Sequence, residues 1–334
     1  MNLHHRIELL AKLGDYISSD SPEWVAAKER AANQNNWFTP EFVDKSATSI
    51  SEAFLKAEIL QAWAESYSIP DVNEQPHTIG IVMAGNIPMV GFHDLLSAII
   101  TGHKPVIKLS SKDEVLIRHL AEKLSSWSDE LNADIRFESM LKGCDAYIAT
   151  GSNNSAGYFE YYFKKYPHII RKNKTSVAIL TGEESSEDIS LLADDVFLYF
   201  GLGCRNVTKI FVPEDYDFVP LINAFKKYNY LADHHKYKNN YDYNLAILLL
   251  NKNYYMSTEA LLLVESDSVF SPISQLNYSF YSDQEKLIAG LASNDDLQGI
   301  IGRDYIPFGQ SQYPKIYDYA DRIDTIEFLV NLQK

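Results

Sequence analysis

Cysteine is scarce in this chain: Cys144 and Cys204 are the two thiols in 334 residues. Two cysteines cannot build a disulfide framework, and their separation is not that of a zinc site, so each reads as a lone thiol. Positive charge is also short, with 30 Lys and Arg against 45 Asp and Glu. The formal net charge of -15 repels a polyanion, and no basic block offsets it, so nucleic acid is excluded as a generic partner. Long apolar runs are missing as well. The most apolar stretch, Leu245 to Leu250, is too short to span a bilayer. The opening segment MNLHHRIELLAKLGDYISSD is charged and lacks the apolar centre of an export signal, which gives the expectation of a cytoplasmic protein. Glycine and proline, at 15 and 12, are too few for a low-complexity chain.

What is present is a globular composition, 46% hydrophobic and 22% charged. The length is about twice that of a usual single domain, so two domains are expected. Up to residue 70 the apolar positions follow helical spacing, as in IELLAKLGDYI and SISEAFLKAEILQAWAESY, with Ser49 and Ser51 available as caps. From Thr78 short apolar runs alternate with helical stretches: TIGIVMAG, PMVGFHDLLSAIITG, PVIKLSS, KDEVLIRHLAEKLSSW. After these come DAYIAT as a strand, GSNNSAG as a turn and YFEYYFKKY as a helix. A second unit opens with SVAILTG as a strand, SEDISLLADDVFLYF as a helix and TKIFVPED as a strand. This β-α-β order argues for parallel sheets with helices on their faces.

Cys204 falls in the segment GLGCRNVTK, in the turn between a helix and its following strand. Such loops carry chemistry more often than cores do. A thiol with an ordinary pKa of about 8.5 is only slightly ionised at neutral pH, so a nucleophilic role requires activation. Arg205 supplies a neighbouring cation. The preceding helix presents its negative end, so backbone amides or cofactor charge must contribute.

IGIVMAGNIPMVGFHDLL, PVIKLSSKDE and GLGCRNVTKIFVP together resemble the aldehyde dehydrogenase superfamily, within it the acyl-CoA reductase family that includes the fatty-acid reductase of bacterial luminescence. The likeness runs along nearly the whole chain, through WFTPEF, ATGSNNSAG, SVAILTG, SVFSPISQL, IPFGQSQYP and DYADRIDTIEFL. It implies an α/β, aldehyde-dehydrogenase-like fold, with two parallel-sheet domains and a helical N-terminal lead-in. The expected divisions are 1–172 for the lead-in and nucleotide-binding domain, 173–310 for the catalytic thiol domain, and 311–334 for a segment returning to the domain junction or an oligomer interface.

The resemblance also assigns roles. Cys204 is the nucleophile, and Asn86 in AGNIP joins the Cys204 N–H in holding the oxyanion. Lys108 matches the lysine that grips the adenosine ribose, while Ser111 stands where NAD-using relatives have a glutamate. A carboxylate there would repel a 2'-phosphate and a serine can bond one, so NADPH is the expected cofactor. Gly151 and Ser152 match the turn that meets the pyrophosphate. Ser268 stands where relatives place the glutamate that binds the nicotinamide ribose, with Asp267 beside it. The glutamate that activates water in hydrolytic relatives falls at Ile170, and an alkyl group cannot deprotonate water. Glu183 and Glu184, in the next turn, read as exposed acids before a helix.

Arg171, Lys172 and Lys174 read as a solvated surface. His93, His234 and His235 show no metal-site spacing, and no metal is expected. The implied reaction is NADPH-dependent reduction of a fatty acyl-CoA, or another acyl thioester, to the aldehyde by a homo-oligomeric oxidoreductase. The acyl donor is a CoA thioester, an acyl-carrier thioester, or an acyl group passed from an acyl-activating ligase. An acyl transferase or thioesterase using the same cysteine is the alternative within thiol chemistry. A non-catalytic subunit presenting acyl chains is the alternative outside it.

Overall fold

The computed structural model describes residues 1–332, so the last two residues of the expected C-terminal segment lie outside the described residues. The chain divides into two compact units, residues 1–173 with 314–332, and residues 174–313.

The first unit opens with four helices: α1 (Leu3–Ile17), α2 (Pro22–Gln34), α3 (Pro40–Ala53) and α4 (Ala57–Ser66). Asn2 caps α1 by accepting the N–H of His5, and Ile7, Leu10, Leu13, Gly14 and Ile17 form its buried stripe. A Cβ at Gly14 would meet the Leu55 Cβ at 2.8 Å, so only glycine permits this approach. The continuous helical spacing of SISEAFLKAEILQAWAESY is broken in the structure, because α3 ends at Ala53 and α4 begins at Ala57. Ser49 and Ser51 are therefore not caps. Both lie inside α3, where the Ser51 hydroxyl donates to the Thr48 carbonyl; Thr39 caps α3 instead, with Pro40 at the first helical position.

A five-stranded sheet follows: β1 (Thr78–Val82), α5 (Phe92–Ile100), β2 (Lys104–Lys108), α6 (Val115–Ser125), α7 (Asp129–Asp134), β3 (Arg136–Phe137), β4 (Ala146–Thr150), α8 (Asn153–Phe163) and β5 (His168–Arg171). Its order is β3-β2-β1-β4-β5, with every pairing parallel. Strand centres are continuously apolar, such as Ile79 to Ile81 and Ala146 to Ala149, as covering on both faces requires. The expected turn GSNNSAG is mostly helix: Ser152 caps α8, which starts at Asn153, and Gly157 sits inside it.

The second unit contains β6 (Thr175–Ile179), α9 (Ser186–Phe197), β7 (Val207–Pro213), α10 (Phe218–Phe225), α11 (His235–Leu250), β8 (Met256–Ser257), β9 (Leu262–Glu265), β10 (Gln275–Tyr281), α12 (Gln284–Ala292) and β11 (Leu297–Ile301). The sheet order is β11-β6-β7-β10-β9-β8, parallel except for the edge strand β8. A capping box between Ser185 and Asp188 starts α9. Its α-helical run ends at Phe197, short of the expected LYF, because Tyr199 and Phe200 turn left-handed at φ 54 and 58.

After residue 313 the chain rejoins the first unit through α13 (Thr325–Asn331). Tyr319 hydroxyl accepts the Trp63 indole N–H at 2.9 Å. Ile326 and Leu329 are fully buried, each contributing roughly 1.5–3 kcal/mol of apolar burial. Among the described residues no helix is long and apolar enough to cross a membrane.

Candidate active site

In the first unit β1 lies between β2 and β4, so the connections leave it in opposite directions along the sheet. Ligands in such sheets settle outside the carboxyl ends of the strands at this switch point. The loop after β1 carries Asn86, the loop after β2 carries Ser111, and Gly151 and Ser152 follow β4. Lys108 is the exposed last residue of β2. Five of the residues singled out in the sequence thus share one edge of one sheet.

Asn86 is half-buried, and the loop around it is anchored from two sides. The Ser46 hydroxyl, from α3, donates to the Pro88 carbonyl at 2.8 Å. The Met89 N–H donates to Asp113 Oδ2 at 2.6 Å, and Met89 itself is left-handed at φ 57. Gly85 lies against the loop after β2, where an added Cβ would meet the Ser110 hydroxyl at 2.6 Å. Asp113 is buried with Oδ1 unpartnered, and burial pushes its carboxyl up to about 7 against the downward pull of the Met89 N–H.

Ser111 and Lys112 are exposed, and the Lys112 N–H donates to the Ser110 hydroxyl. Ser152 accepts the Ser155 N–H as the N-cap of α8, and the amides of Asn153 and Asn154, in the first turn, have no intrahelical acceptor. Ile170 is half-buried in β5. Arg171 departs from the sequence reading: it is buried, not solvated. Its Nη1 donates to both Asp94 oxygens at 2.8 and 2.6 Å, and its Nη2 donates to Thr325 Oγ1 at 2.8 Å. Lys172 pairs with Glu160 on the surface, and Lys174 donates to the Asp295 carbonyl in the second unit. His93 bonds the Ile316 carbonyl and packs edge-on to Tyr319, a structural role.

In the second unit Cys204 sits half-buried before the amino end of β7. Asn206 N–H donates to the Gly203 carbonyl at 3.1 Å, closing a turn with Cys204 and Arg205 at its centre. Ser176, in β6, donates its hydroxyl to the Cys204 carbonyl at 3.3 Å and its N–H to the Asn206 carbonyl at 3.0 Å. The Asn206 side chain is fully buried: Oδ1 accepts the Gly203 N–H at 2.8 Å, and Nδ2 donates to the Asp195 and Leu198 carbonyls at 3.0 and 2.9 Å. Asp195 in turn accepts the N–H groups of Gly309 and Ser311, so IPFGQSQYP is tied to the same helix end. Burial pushes the Asp195 carboxyl up to about 6 despite those bonds.

Ser268 lies on a segment that crosses from the carboxyl end of β9 to the amino end of β10. Its hydroxyl donates to the Phe270 carbonyl and accepts the Phe270 N–H, closing a local turn. The segment is held from beneath by Lys209 Nζ on the Ser266 carbonyl at 2.7 Å, Thr208 on Val269, and Asn277 on the carbonyls of Ser268 and Phe270. Lys209 is buried, and desolvation lowers its pKa. Glu184 accepts from both N–H and hydroxyl of Thr181 and from the Gly182 N–H, so it closes its turn, and Glu183 pairs with Arg303. Cys144 is buried, and desolvation pushes its thiol up, as for a packing residue. Among the described residues no cluster of His, Cys, Asp or Glu suits a metal ion.

Ser46, Asp113, Asp195, Asn206 and Lys209 escaped the sequence reading. Only Asn206 carried a signal, since Gly followed three residues later by Asn is turn chemistry. The others are polar residues in apolar surroundings whose partners lie far away in sequence.

A scan against protein-family models gives no match, and neither does comparison with curated protein sequences. Solved structures do match. An aldehyde dehydrogenase of Bacillus cereus in complex with NAD+ aligns over 88% of this chain and 70% of its own, with a TM-score of 0.65 and 14% identity. Aldehyde dehydrogenase 21 of Physcomitrella patens, in complex with the reaction product succinate, aligns over 91% and 74%, with a TM-score of 0.66 and 15% identity. Succinic semialdehyde dehydrogenase of Streptococcus pyogenes, with NADP+ as cofactor, aligns over 90% and 76%, with a TM-score of 0.64 and 13% identity. The chain has an aldehyde-dehydrogenase-like fold with an N-terminal helical segment.

Proposed function

We propose that this protein is a nicotinamide-dependent oxidoreductase that reduces a fatty acyl-CoA, or another acyl thioester, to the aldehyde through an acyl group held on Cys204. The observation that carries the reading is the Cys204 turn, closed on itself and bonded to β6 within a fold shared with aldehyde dehydrogenases. The residues of the first unit fit a dinucleotide: the sheet edge at the switch point, Lys108, and the first turn of α8 behind Gly151 and Ser152 suit ribose and pyrophosphate. Ser111 favours NADPH over NADH. Ser268 would meet a cofactor through its backbone, because its hydroxyl is engaged with Phe270.

In this reading the Cys204 sulfur bonds to the thioester carbon and the CoA thiolate leaves. The Cys204 N–H holds the negative charge that develops on the carbonyl oxygen; one such donor is worth roughly 3 to 4 kcal/mol. NADPH, when bound, supplies the hydride that reduces the Cys204 thioester. The adduct's oxygen then re-forms the carbonyl as the carbon–sulfur bond breaks, releasing aldehyde and returning Cys204 as the thiolate that starts the next turnover. Ile170 stands where the resemblance puts the glutamate that activates water in hydrolytic relatives, and an alkyl group cannot deprotonate water, which favours reduction over hydrolysis.

The test is NADPH consumption by purified protein across a series of acyl-CoA lengths, with NADH and Cys204→Ala alongside. Oxidation that requires both thioester and Cys204, with aldehyde recovered, is the expected result. Full activity in Cys204→Ala overturns the reading, and acyl transfer indifferent to NADPH replaces it with a transferase or thioesterase.

A further inference from the structure

We infer that Asn206 is the positioning residue for Cys204, bracketing a strained stretch of backbone so that the thiol and its own N–H are aimed together. The inference rests on Cys204 being the nucleophile of the proposed reaction.

Between the end of α9 and the Cys204 turn, Tyr199, Phe200 and Gly201 are all left-handed, at φ 54, 58 and 73. Such conformations are unfavourable for residues with side chains and persist only where the surroundings over-determine them. Asn206 reaches both sides of this stretch. Its Nδ2 donates to the carbonyls of Asp195, Val196 and Leu198, at 3.0, 3.4 and 2.9 Å, ahead of the left-handed residues. Its Oδ1 accepts the Gly203 N–H at 2.8 Å, behind them. The backbone of Asn206 closes the turn over Cys204 through the Gly203 carbonyl and docks on β6 through Ser176. One fully buried side chain therefore joins the helix end, the strained stretch and the turn.

Two consequences bear on chemistry. The oxyanion donor assigned to Cys204 is a backbone N–H, which only the conformation of the turn can aim. The Asn206 amide donates to three carbonyls at and just beyond the end of α9, where the helix dipole is negative. The negative end of a helix opposes ionisation of a thiol in the segment that follows, so by engaging these carbonyls Asn206 serves charge as well as geometry.

The test compares Asn206→Ala with Asn244→Ala. Asn244 is a control amide in the same unit that bonds the Ile273 carbonyl at 2.8 Å. Asn206→Ala should lower kcat by about tenfold or more with the KM for NADPH unchanged. It should also slow Cys204 alkylation by iodoacetamide at pH 7 by about threefold, with the pH midpoint of alkylation moved upward. Asn244→Ala should leave the alkylation profile at wild type. Wild-type alkylation in folded Asn206→Ala, or the same slowing in Asn244→Ala, overturns the inference. Amide exchange on the unmodified protein provides a test without a variant: the Gly203 and Asn206 N–H groups should exchange as slowly as those of β7, and rapid exchange there overturns it. Alkylation and exchange use no acyl substrate. A silent reductase assay beside a reactive, Asn206-dependent thiol therefore counts against the reaction and not against Asn206.

Discussion

Asp113 accepts the Met89 N–H through one carboxyl oxygen at 2.6 Å, across 24 positions of sequence, and so holds a left-handed residue in the loop that carries Asn86. Burial pushes this carboxyl up to about 7, whereas an Asp in the unfolded chain titrates at about 3.9. The folded protein binds the proton more tightly, so this group's contribution is fully present below about pH 4 and is lost as pH rises to about 7. Asp113→Asn keeps an acceptor for Met89 and removes the charge. Its thermal midpoint should vary less than wild type between pH 5 and 8 and exceed wild type at pH 8; a midpoint that tracks wild type throughout would refute the assignment.

The Arg171–Asp94 pair is buried on both sides, so removing one partner strands the other. Asp94→Ala should cost about 3–5 kcal/mol in urea unfolding. The double variant Asp94→Leu with Arg171→Met should recover much of that loss. A single-variant cost under about 1 kcal/mol would mean the pair is hydrated in solution.

In the proposed function cofactor choice rests on Ser111, exposed three residues beyond Lys108. A glutamate there would repel a 2'-phosphate and bond ribose hydroxyls. Ser111→Glu should shift the ratio of kcat/KM for NADPH over NADH by about tenfold or more toward NADH, in line with a charged hydrogen bond gained or lost. An unchanged ratio places the discrimination elsewhere.

Hydrolysis should be recoverable at Ile170. With acyl-CoA and no NADPH, the wild-type protein should release one equivalent of CoA and stop, whereas Ile170→Glu should go on to release free carboxylic acid. General-base catalysis is worth about a hundredfold or more, so acid formation by the variant should stand clear of background. If both proteins release acid at one rate, the alkyl group at 170 is not what protects the acyl-enzyme.

Much of the fold follows from local pattern. The strands of the first sheet are short apolar runs between helical stretches, and their alternation reads directly as parallel β-α-β units. The position of Asn86, Ser111 and Gly151 after strands was legible for the same reason. Helix boundaries were less so. The apolar spacing of residues 49–67 continues through Phe54 and Leu55, which lie in the break itself with their side chains buried, and periodicity cannot see a break that keeps its apolar residues inward. The left-handed Tyr199 and Phe200 were invisible because neither residue type favours that conformation, and the Asn206 bonds that bracket them come from beyond the turn.

Arg171 gives the sharpest contrast. Beside Lys172 and Lys174 it has the sequence context of a solvated cluster, yet it is buried against a carboxylate 77 positions earlier and a threonine 154 positions later. Charge pattern reports what surrounds a residue along the chain, and burial depends on what the fold stacks upon it.

The sequence by itself determined the class of fold, the placement of Cys204 in a helix-to-strand turn, and which side chains follow which strands, because periodicity and turn chemistry act over a few residues. Only the tertiary structure decided which polar side chains were drawn inward to hold those loops: Ser46 and Asp113 beneath Asn86, Asn206 and Ser176 around Cys204, Lys209 and Asn277 under Ser268. Each of these satisfies a backbone group that folding removes from water, and that need arises only when segments distant in sequence are packed together.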